Sequence, residues 1–142
     1  MPKNNFNQWS LTLLRVVLGV MFTLHGYMKL FVPGGFKGTV GFFTAINIPL
    51  PLYASLLVSL SEFVGGLLLI LGVLTKWTAF ALLIEMLVAF FKVHMKQGFF
   101  ISQQAYGYEY LLLILAVLIV LLVNGHGKLS LGKKFFKNKQ LQ

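Results

Sequence analysis

The stretch LLRVVLGVMFTLHGYMKL, residues 13–30, is apolar enough to cross a bilayer, yet it contains Arg15, His25 and Lys29. A charged side chain inside a membrane segment is costly, and it usually faces the interior of a helix bundle, where another polar group pairs with it. The stretch therefore predicts a membrane helix whose basic residues have partners on other segments of the chain.

The composition of the whole chain is typical of a membrane protein. Of its 142 residues, 58% are hydrophobic and only 11% are charged, whereas a soluble domain carries about 25% charged residues. A spanning helix needs roughly 20 mainly apolar residues, and four segments approach that length. They cover about residues 9–31, 54–74, 78–95 and 108–124. We therefore expect an all-α fold, a polytopic membrane protein built as one antiparallel four-helix transmembrane bundle.

The distribution of lysine accounts for the net charge of +9 and predicts an orientation. The basic residues lie mainly at segment ends and in the tail, residues 125–142, which is typical of positive-inside topology and binding to anionic lipid, not of nucleic-acid binding. Four spans place both termini on one side, with seven lysines there against at most four on the other. We therefore expect both termini in the cytoplasm. The seven are Lys3, Lys76, Lys128, Lys133, Lys134, Lys137 and Lys139.

The chain has three acidic residues, Glu62, Glu85 and Glu109, and each lies in or at the edge of a different predicted span. Since intramembrane charges tend to pair, we predict an internal polar network between these glutamates and the basic residues of the first span. Depth, taken from about 1.5 Å of rise per residue, predicts a deeper pair of Arg15 with Glu85. The other members are expected near the outer leaflet: His25, Lys29, Glu62, His94 and Glu109.

Helical spacing places small and polar residues on one stripe of each of the first three spans, and we predict that these stripes face inward. The stripes are Arg15, Gly19, Phe22, Gly26 and Lys29; Ser55, Ser59, Glu62, Gly66 and Leu69; and Thr78, Ala81, Glu85, Ala89 and Lys92. Their glycines are expected to allow close approach of neighbouring helices. These helix-packing residues are Gly19, Gly26, Gly65 and Gly66.

Several features also have a simpler interpretation. Arg15 lies near a helix end and can snorkel to the lipid headgroups. Glu85 can be neutral and make one hydrogen bond between helices with no further role. The tail can be a membrane-surface anchor or a frayed basic terminus. Between the first two spans, glycine and proline predict turns around one short interfacial helix, residues 36–46.

Four motifs, taken in order, resemble one known family. The first span reads R-x3-G-x6-G-x2-K from Arg15 to Lys29, and the second reads SEFVGGLLLILGVLTKW, residues 61–77. They are followed by H-x3-GFF, residues 94–100, and by GYEYLLLILAVLIVLLVNGHGKLSL, residues 107–131. Together these motifs, which cover about residues 9–132, resemble the DoxX family of small four-span bacterial membrane proteins.

The resemblance implies a four-helix membrane bundle in the bacterial inner membrane. It also implies a link with redox biology, since the family takes its name from a subunit of a thiosulfate:quinone oxidoreductase and its relatives are linked to quinone or thiol stress. The family often has G-x-G-x-x-S-L-D after the last span, whereas this chain reads GHGKLSLG, with Gly132 in place of the acid. The polar positions that match the family are Arg15, Lys29, Glu62, His94 and Glu109.

Three kinds of function are consistent with these residues. The first is a quinone-linked or redox-stress-linked protein, or a subunit of a membrane oxidoreductase complex, in which histidine or lysine binds a quinone carbonyl and a glutamate handles the proton. No flavin, haem or dinucleotide motif is present, so electrons would come from a redox partner protein or a bound cofactor. The second is a non-enzymatic structural or assembly subunit. The third is a small-solute transporter, which would have to be a homo-oligomer.

A metal site is not expected. The chain has no cysteine, which excludes cysteine-based zinc sites, iron–sulfur clusters and disulfides. The histidines and glutamates have suitable ligand chemistry, but no closely spaced pair such as H-x3-H or E-x2-H occurs.

Overall fold

The computed structural model of the protein describes residues 5–102 and 107–132. Its regular structure in these ranges is helical, which confirms the all-α class. The elements are α1 (Asn5–Leu30), α2 (Gly35–Ala45), α3 (Pro51–Leu71), α4 (Thr75–Lys92), a short 3-10 helix (His94–Gln97) and α5 (Glu109–Asn124). The predictions for Lys3 and for the tail beyond residue 132 lie outside the described residues.

The helix boundaries follow local sequence signals. Pro51 occupies the first turn of α3, where its missing N–H group costs nothing. Gly72 ends the same helix with a φ of 69°, a left-handed conformation that glycine adopts without strain. The short helix predicted for residues 36–46 is present as α2, shifted by one residue.

Two helices, α1 and α3, are long and apolar enough to cross a membrane. They correspond to the predicted spans 9–31 and 54–74. The other two candidates are less clear by length and composition, since α5 has only 16 residues and α4 includes Lys76, Glu85 and Lys92 among its 18 residues. A span needs about 17–25 residues with few charges. The described part of the chain therefore supports two of the four predicted spans on these grounds.

Glycine sets the distance between α1 and α3, which pack antiparallel. A Cβ atom on Gly19 would lie 2.8 Å from the carbonyl oxygen of Gly66, and one on Gly26 would overlap the backbone of Phe63. The two backbones therefore touch where the sequence predicted a close approach. The predicted inward stripes of these two helices are buried, apart from Lys29, which is half-buried.

The remaining helices continue the alternation of direction. Gly65 of α3 faces α4, where its Cβ atom would lie 3.2 Å from Cγ2 of Thr78. The ring of Phe90, near the end of α4, contacts that of Tyr108 just before α5, with 5.4 Å between centroids. α4 therefore runs antiparallel to α3, and α5 runs antiparallel to α4.

The stripe predicted for span three is partly wrong. Thr78 is buried, but Ala81 and Lys92 are exposed. α4 instead buries the face that carries Ala79 and Leu82, because this face packs on the leucine- and isoleucine-rich side of α5 and burial of larger apolar surface is more favourable. The core comprises Leu18, Phe22, Leu69, Ala79, Leu82, Leu111, Ile114, Leu115, Leu118 and Leu121.

Arg15 fastens the segment after α5 to the end of α3. The side chain is 1% exposed, and its Nη2 atom donates a hydrogen bond to the carbonyl oxygen of Leu129 at 2.5 Å. The guanidinium also packs on Gly72, where an added Cβ atom would overlap it. The hydroxyl of Ser130 donates to the carbonyl oxygen of Gly72 at 2.6 Å. Residues 125–132 are thus held against the C-terminal end of α3.

The predicted pair of Arg15 with Glu85 is therefore wrong. Antiparallel packing places Arg15 at the C-terminal end of α3, where unpaired carbonyl groups attract a cation. Glu85 lies ten residues after Thr75, the first residue of α4, and it accepts a hydrogen bond from Ser61 instead. The burial of Arg15 also argues against snorkelling to the lipid headgroups.

Replacing Gly26 with alanine is expected to destabilise the protein, because the added Cβ atom would force α1 and α3 apart at Phe63. Overpacking of this kind costs about 1–3 kcal/mol, so the apparent Tm of the detergent-purified protein should fall. The fluorescence of Trp9 and Trp77 can report the transition. Gly41→Ala is the matched control, since a Cβ atom at this position of α2 meets nothing within 4 Å. Equal Tm values for the two variants would contradict the proposed packing.

Replacing Arg15 with methionine is expected to release residues 125–132 from the end of α3. A hydrogen bond to a charged group contributes about 1.5–3 kcal/mol, so its loss should raise the rate of tryptic cleavage after Lys128 by about tenfold or more. Mass spectrometry of the fragments measures this rate. Lys37→Met, which removes an exposed charge from α2, is the control. Cleavage of the Arg15 variant at the wild-type rate would show that another contact holds the segment.

Candidate functional site

An ion pair between α1 and α3 forms the centre of the candidate site. Nζ of Lys29 lies 2.6 Å from Oε2 of Glu62, and Glu62 is buried, with 4% of its surface exposed. Lys29 is in the last turn of α1, and side chains on a helix point back toward its N-terminus, so the ammonium group reaches inward. The contact of Gly26 with the backbone of Phe63 brings the two helices close enough for this pair to form.

Glu85 of α4 joins the ion pair. The hydroxyl of Ser61 donates a hydrogen bond to Oε2 of Glu85 at 2.5 Å. The carboxyl group of Glu85 also interacts electrostatically with Glu62 and Lys29. One cation and two carboxyl groups, contributed by three helices, therefore meet at one place.

A cavity of about 690 Å³ lies beside these charges, between α2, α3 and α4. Three apolar residues of its wall, Leu57 of α3 and Ile84 and Val88 of α4, are exposed. The cavity is therefore not sealed off along these two helices. Its walls are mostly apolar, and the ionisable residues that line it are Lys29, Glu62, Glu85, Lys92 and His94.

A smaller cavity of about 350 Å³ lies between α1, α4 and α5. It extends to His25, an exposed residue of α1, and to Tyr110 near the start of α5. The residues that line both cavities are Glu62, Met86, Ala89 and His94. Glu62 and His94 are therefore the ionisable groups that both cavities share.

Four of the five residues predicted to form the outer cluster line these two cavities. They are His25, Lys29, Glu62 and His94. Glu109 is placed elsewhere. Its Oε1 atom accepts a hydrogen bond from the backbone N–H of Ile101 at 2.8 Å. It is also the first residue of α5, where a carboxylate interacts favourably with the N-terminus of the helix. Glu109 therefore links the start of α5 to the backbone at Ile101.

The sequence prediction missed Ser61 and the contribution of α2. Ser61 directly precedes Glu62 in an apolar helix, so a signal was present. Successive residues of a helix point in directions about 100° apart, and a hydroxyl next to the inward-facing Glu62 can therefore face a neighbouring helix. Thr39 and Phe42 of α2 also line the larger cavity. Their role depends on how α2 packs against α3, which spacing along α2 does not reveal.

The chemistry available at the site is that of proton donors and acceptors beside an apolar cavity. Within residues 5–102 and 107–132, no three His, Asp or Glu side chains come together as a metal-ligand group. An ammonium group, two carboxyl groups and the hydroxyl of Ser61 can bind the polar end of a lipophilic molecule, and the carboxyl groups can exchange protons with it.

Similarity to known proteins identifies the family. A family model described as DoxX matches residues 10–95. An uncharacterized protein of Haemophilus influenzae is 36% identical over 134 residues, which are 93% of this chain and 95% of that protein. A Bacillus subtilis protein named "Putative oxidoreductase CatD" is 30% identical over 128 residues, 90% of this chain and 88% of that protein. No solved structure matches the chain. The resemblance carried by the motifs is confirmed, and the chain belongs to the DoxX family of bacterial membrane proteins.

Proposed function

We propose that α1, α3, α4 and α5 all cross the bacterial inner membrane, with both termini in the cytoplasm and α2 at the outer interface. At about 1.5 Å per residue, α4 is about 27 Å long and α5 about 24 Å, and a bilayer thins or a flanking side chain snorkels to accommodate a short span. Both helices expose many large apolar side chains, and exposure of so much apolar surface to water is unfavourable. These are Trp77, Phe80, Ile84, Leu87, Val88, Phe91, Leu112, Leu113, Ile119, Val120 and Val123.

Single cysteines introduced into this cysteine-free chain can test the topology. With four spans, a membrane-impermeant thiol reagent added to intact cells should label Lys37→Cys and Lys96→Cys, but label Lys76→Cys only after permeabilisation. If only α1 and α3 cross, Lys96→Cys would be protected as well. Labelling of Lys76→Cys in intact cells would reverse the proposed orientation.

We further propose that the protein binds a lipophilic quinone in the larger cavity and acts as a quinone- or redox-stress-linked protein, or as a subunit of a membrane oxidoreductase complex. The observation that carries this proposal is the meeting of an apolar cavity with Lys29, Glu62 and Glu85. Its volume lies within the roughly 300–1,000 Å³ range of small-molecule sites, and the exposed apolar residues of its wall on α3 and α4 would give a ligand access from the bilayer. The name of the Bacillus subtilis relative also supports a redox link.

The proposed chemistry divides between this chain and a partner. Reduction of a quinone to a hydroquinone takes up two electrons and two protons, and the reverse reaction releases them. A redox partner protein supplies or accepts the electrons, since the sequence contains no flavin, haem or dinucleotide motif. The residues of this chain orient the ring and handle protons: Lys29 donates a hydrogen bond to a ring oxygen, and a carboxyl group of Glu62 or Glu85 gives or accepts a proton.

A structural role for the same residues is the second candidate. The ion pair of Lys29 with Glu62 links α1 to α3, and a buried pair of this kind can fix helix register even where it adds little stability. A subunit of this type would have no bound ligand. Its loss would appear as lower stability or poorer recovery of partner proteins, with the cavity left without a function.

Filling the larger cavity is expected to abolish quinone binding. Gly38 of α2 lines the cavity and a Cβ atom there meets nothing within 4 Å, so Gly38→Leu adds volume to the cavity without a clash at its base. Gly41→Leu makes the same change in the same helix at a position whose Cβ also meets nothing, and serves as the control. The measurement is mass spectrometry of quinone that co-purifies with the detergent-solubilised protein, relative to bulk membrane.

Glu62→Gln tests the polar end of the proposed site in the same experiment. The variant should lose co-purifying quinone because it removes an ionised neighbour that holds Lys29 in place. No enrichment of quinone in the wild-type protein would contradict the proposal. So would an enrichment that Gly38→Leu leaves unchanged.

A further inference from the structure

We propose that Glu62 and Glu85 form a proton-binding site in which the two carboxyl groups share one proton, and that the smaller cavity connects this site with His25. The proposal needs the four-span arrangement, which puts both residues near the middle of the membrane, but it does not need a quinone to be the ligand. It therefore adds a site to the proposed function and can be tested without any ligand present.

The site has one positively charged group for two carboxyl groups. Lys29 supplies one positive charge at 2.6 Å from Glu62, while two carboxyl groups lie beside it. Two ionised carboxylates next to one another repel strongly where the dielectric is low, so such pairs retain a proton between them. One cation therefore neutralises one carboxylate, and the other carboxyl group keeps its proton.

The surroundings contain few other charges that would change this count. From α1, Lys29 and His25 face the site; from α4 and the 3-10 helix, Lys92 and His94 line the cavities. Lys92 is exposed, so water or lipid headgroups can solvate it at the end of α4. From α5, Tyr110 lines the smaller cavity.

Ser61 positions the pair. Its hydroxyl donates to Oε2 of Glu85 at 2.5 Å, while Oε2 of Glu62 is in contact with Nζ of Lys29. Oε1 of Glu85 is then a buried oxygen that accepts no hydrogen bond from the described residues. A buried carboxyl oxygen without a donor is costly. A proton held between the two carboxyl groups supplies a donor at this place.

The smaller cavity provides a route for the proton. It starts at Glu62 and His94 and reaches His25, which is exposed at the outer end of α1. At about 350 Å³ it is large enough for several water molecules. Its lining is mostly apolar, and its polar side chains, which can bind such waters, are His25, Glu62, His94 and Tyr110. Histidine side chains exchange protons readily near neutral pH, so His25 is suited to pass a proton between the cavity and the outer side.

Dicyclohexylcarbodiimide, an apolar reagent that enters membranes, tests the shared proton. A protonated carboxyl group adds across its N=C=N unit, and the adduct rearranges to a stable N-acylurea that contains the whole reagent, with no leaving group. At neutral pH we expect one adduct per wild-type chain, on Glu62 or Glu85, located by mass spectrometry of peptides. Glu109, the remaining acid of the chain, is the internal control and should stay unmodified.

Variants distinguish a shared proton from a carboxyl group that is neutral through burial alone. With Glu62→Gln or with Glu85→Gln, one cation faces one carboxyl group, which then ionises, so labelling should fall to the level of Glu109. With Lys29→Met, no cation remains, so both carboxyl groups should become reactive and a second adduct should appear. Persistent labelling of Glu85 in Glu62→Gln would overturn the shared proton, as would an unlabelled wild-type protein.

Folding is checked for each variant by size-exclusion chromatography. If Glu62→Gln does not fold, Glu85→Gln gives the same test at a half-buried position. The proton route through the smaller cavity is tested in right-side-out vesicles by raising the pH on one side at a time.

Modification by dicyclohexylcarbodiimide should fall when the outer pH rises and stay unchanged when the inner pH rises. Dependence on the inner pH would overturn the connection through His25. A labelled pair with no co-purifying quinone would refute the quinone proposal alone.

Discussion

The contact between the backbones of α1 and α3 brings together Lys29 and Glu62, the ion pair at the centre of the site. Gly26 packs directly on the backbone at Phe63, and Lys29, one turn later on the same face of α1, then comes within 2.6 Å of Glu62. A larger side chain at Gly26 would move the helices apart and leave the ammonium group short of its partner. The glycines of the motif R-x3-G-x6-G-x2-K thus set the distance between α1 and α3. The ion pair made by its lysine depends on that distance.

Stability alone does not explain the ion pair. Removing two ions from water costs several kcal/mol per ion, and replacing a buried ion pair by apolar residues is often neutral or stabilising by about 1–4 kcal/mol. A second carboxyl group, that of Glu85, adds to this cost without adding a cation. Arg15 presents a different case, since it binds the carbonyl group of Leu129 and fastens a chain segment. We infer that Arg15 stabilises the fold, whereas Lys29 and the two glutamates provide polar groups at the cavity.

The sequence was most informative for the contact between α1 and α3, where glycines mark the two faces that meet. The inward stripes of α1 and α3 were predicted correctly because small residues at helical spacing have one use there, a close contact of two backbones. α4 contains no glycine that would mark a close backbone contact, so the rule that small and polar residues face inward did not determine its buried face. The apolar face of α4 packs on α5 because that contact buries more apolar surface.

The errors among the charged residues share one physical cause. Depth along the membrane follows from the number of residues in a helix, but the neighbour of a side chain depends on the rotation of its helix. Arg15 was matched to Glu85 by depth, yet it faces α3 and the segment after α5. Glu109 was grouped with the histidines and Lys29, but as the first residue of α5 it accepts a hydrogen bond from the backbone N–H of Ile101. No spacing rule gives that rotation.

The glycine at position 132 lies in the segment that Arg15 holds against the end of α3. A Cβ atom on Gly132 would lie 2.8 Å from the carbonyl oxygen of Gly72, which already accepts a hydrogen bond from Ser130. A side chain there, such as the acid that similar sequences often have, would require the segment to shift. Among the described residues, Arg15 donates to the carbonyl oxygen of Leu129 and packs on Gly72. No carboxylate within residues 5–102 and 107–132 forms an ion pair with Arg15. In the proposed topology its positive charge would therefore add to that of the cytoplasmic lysines.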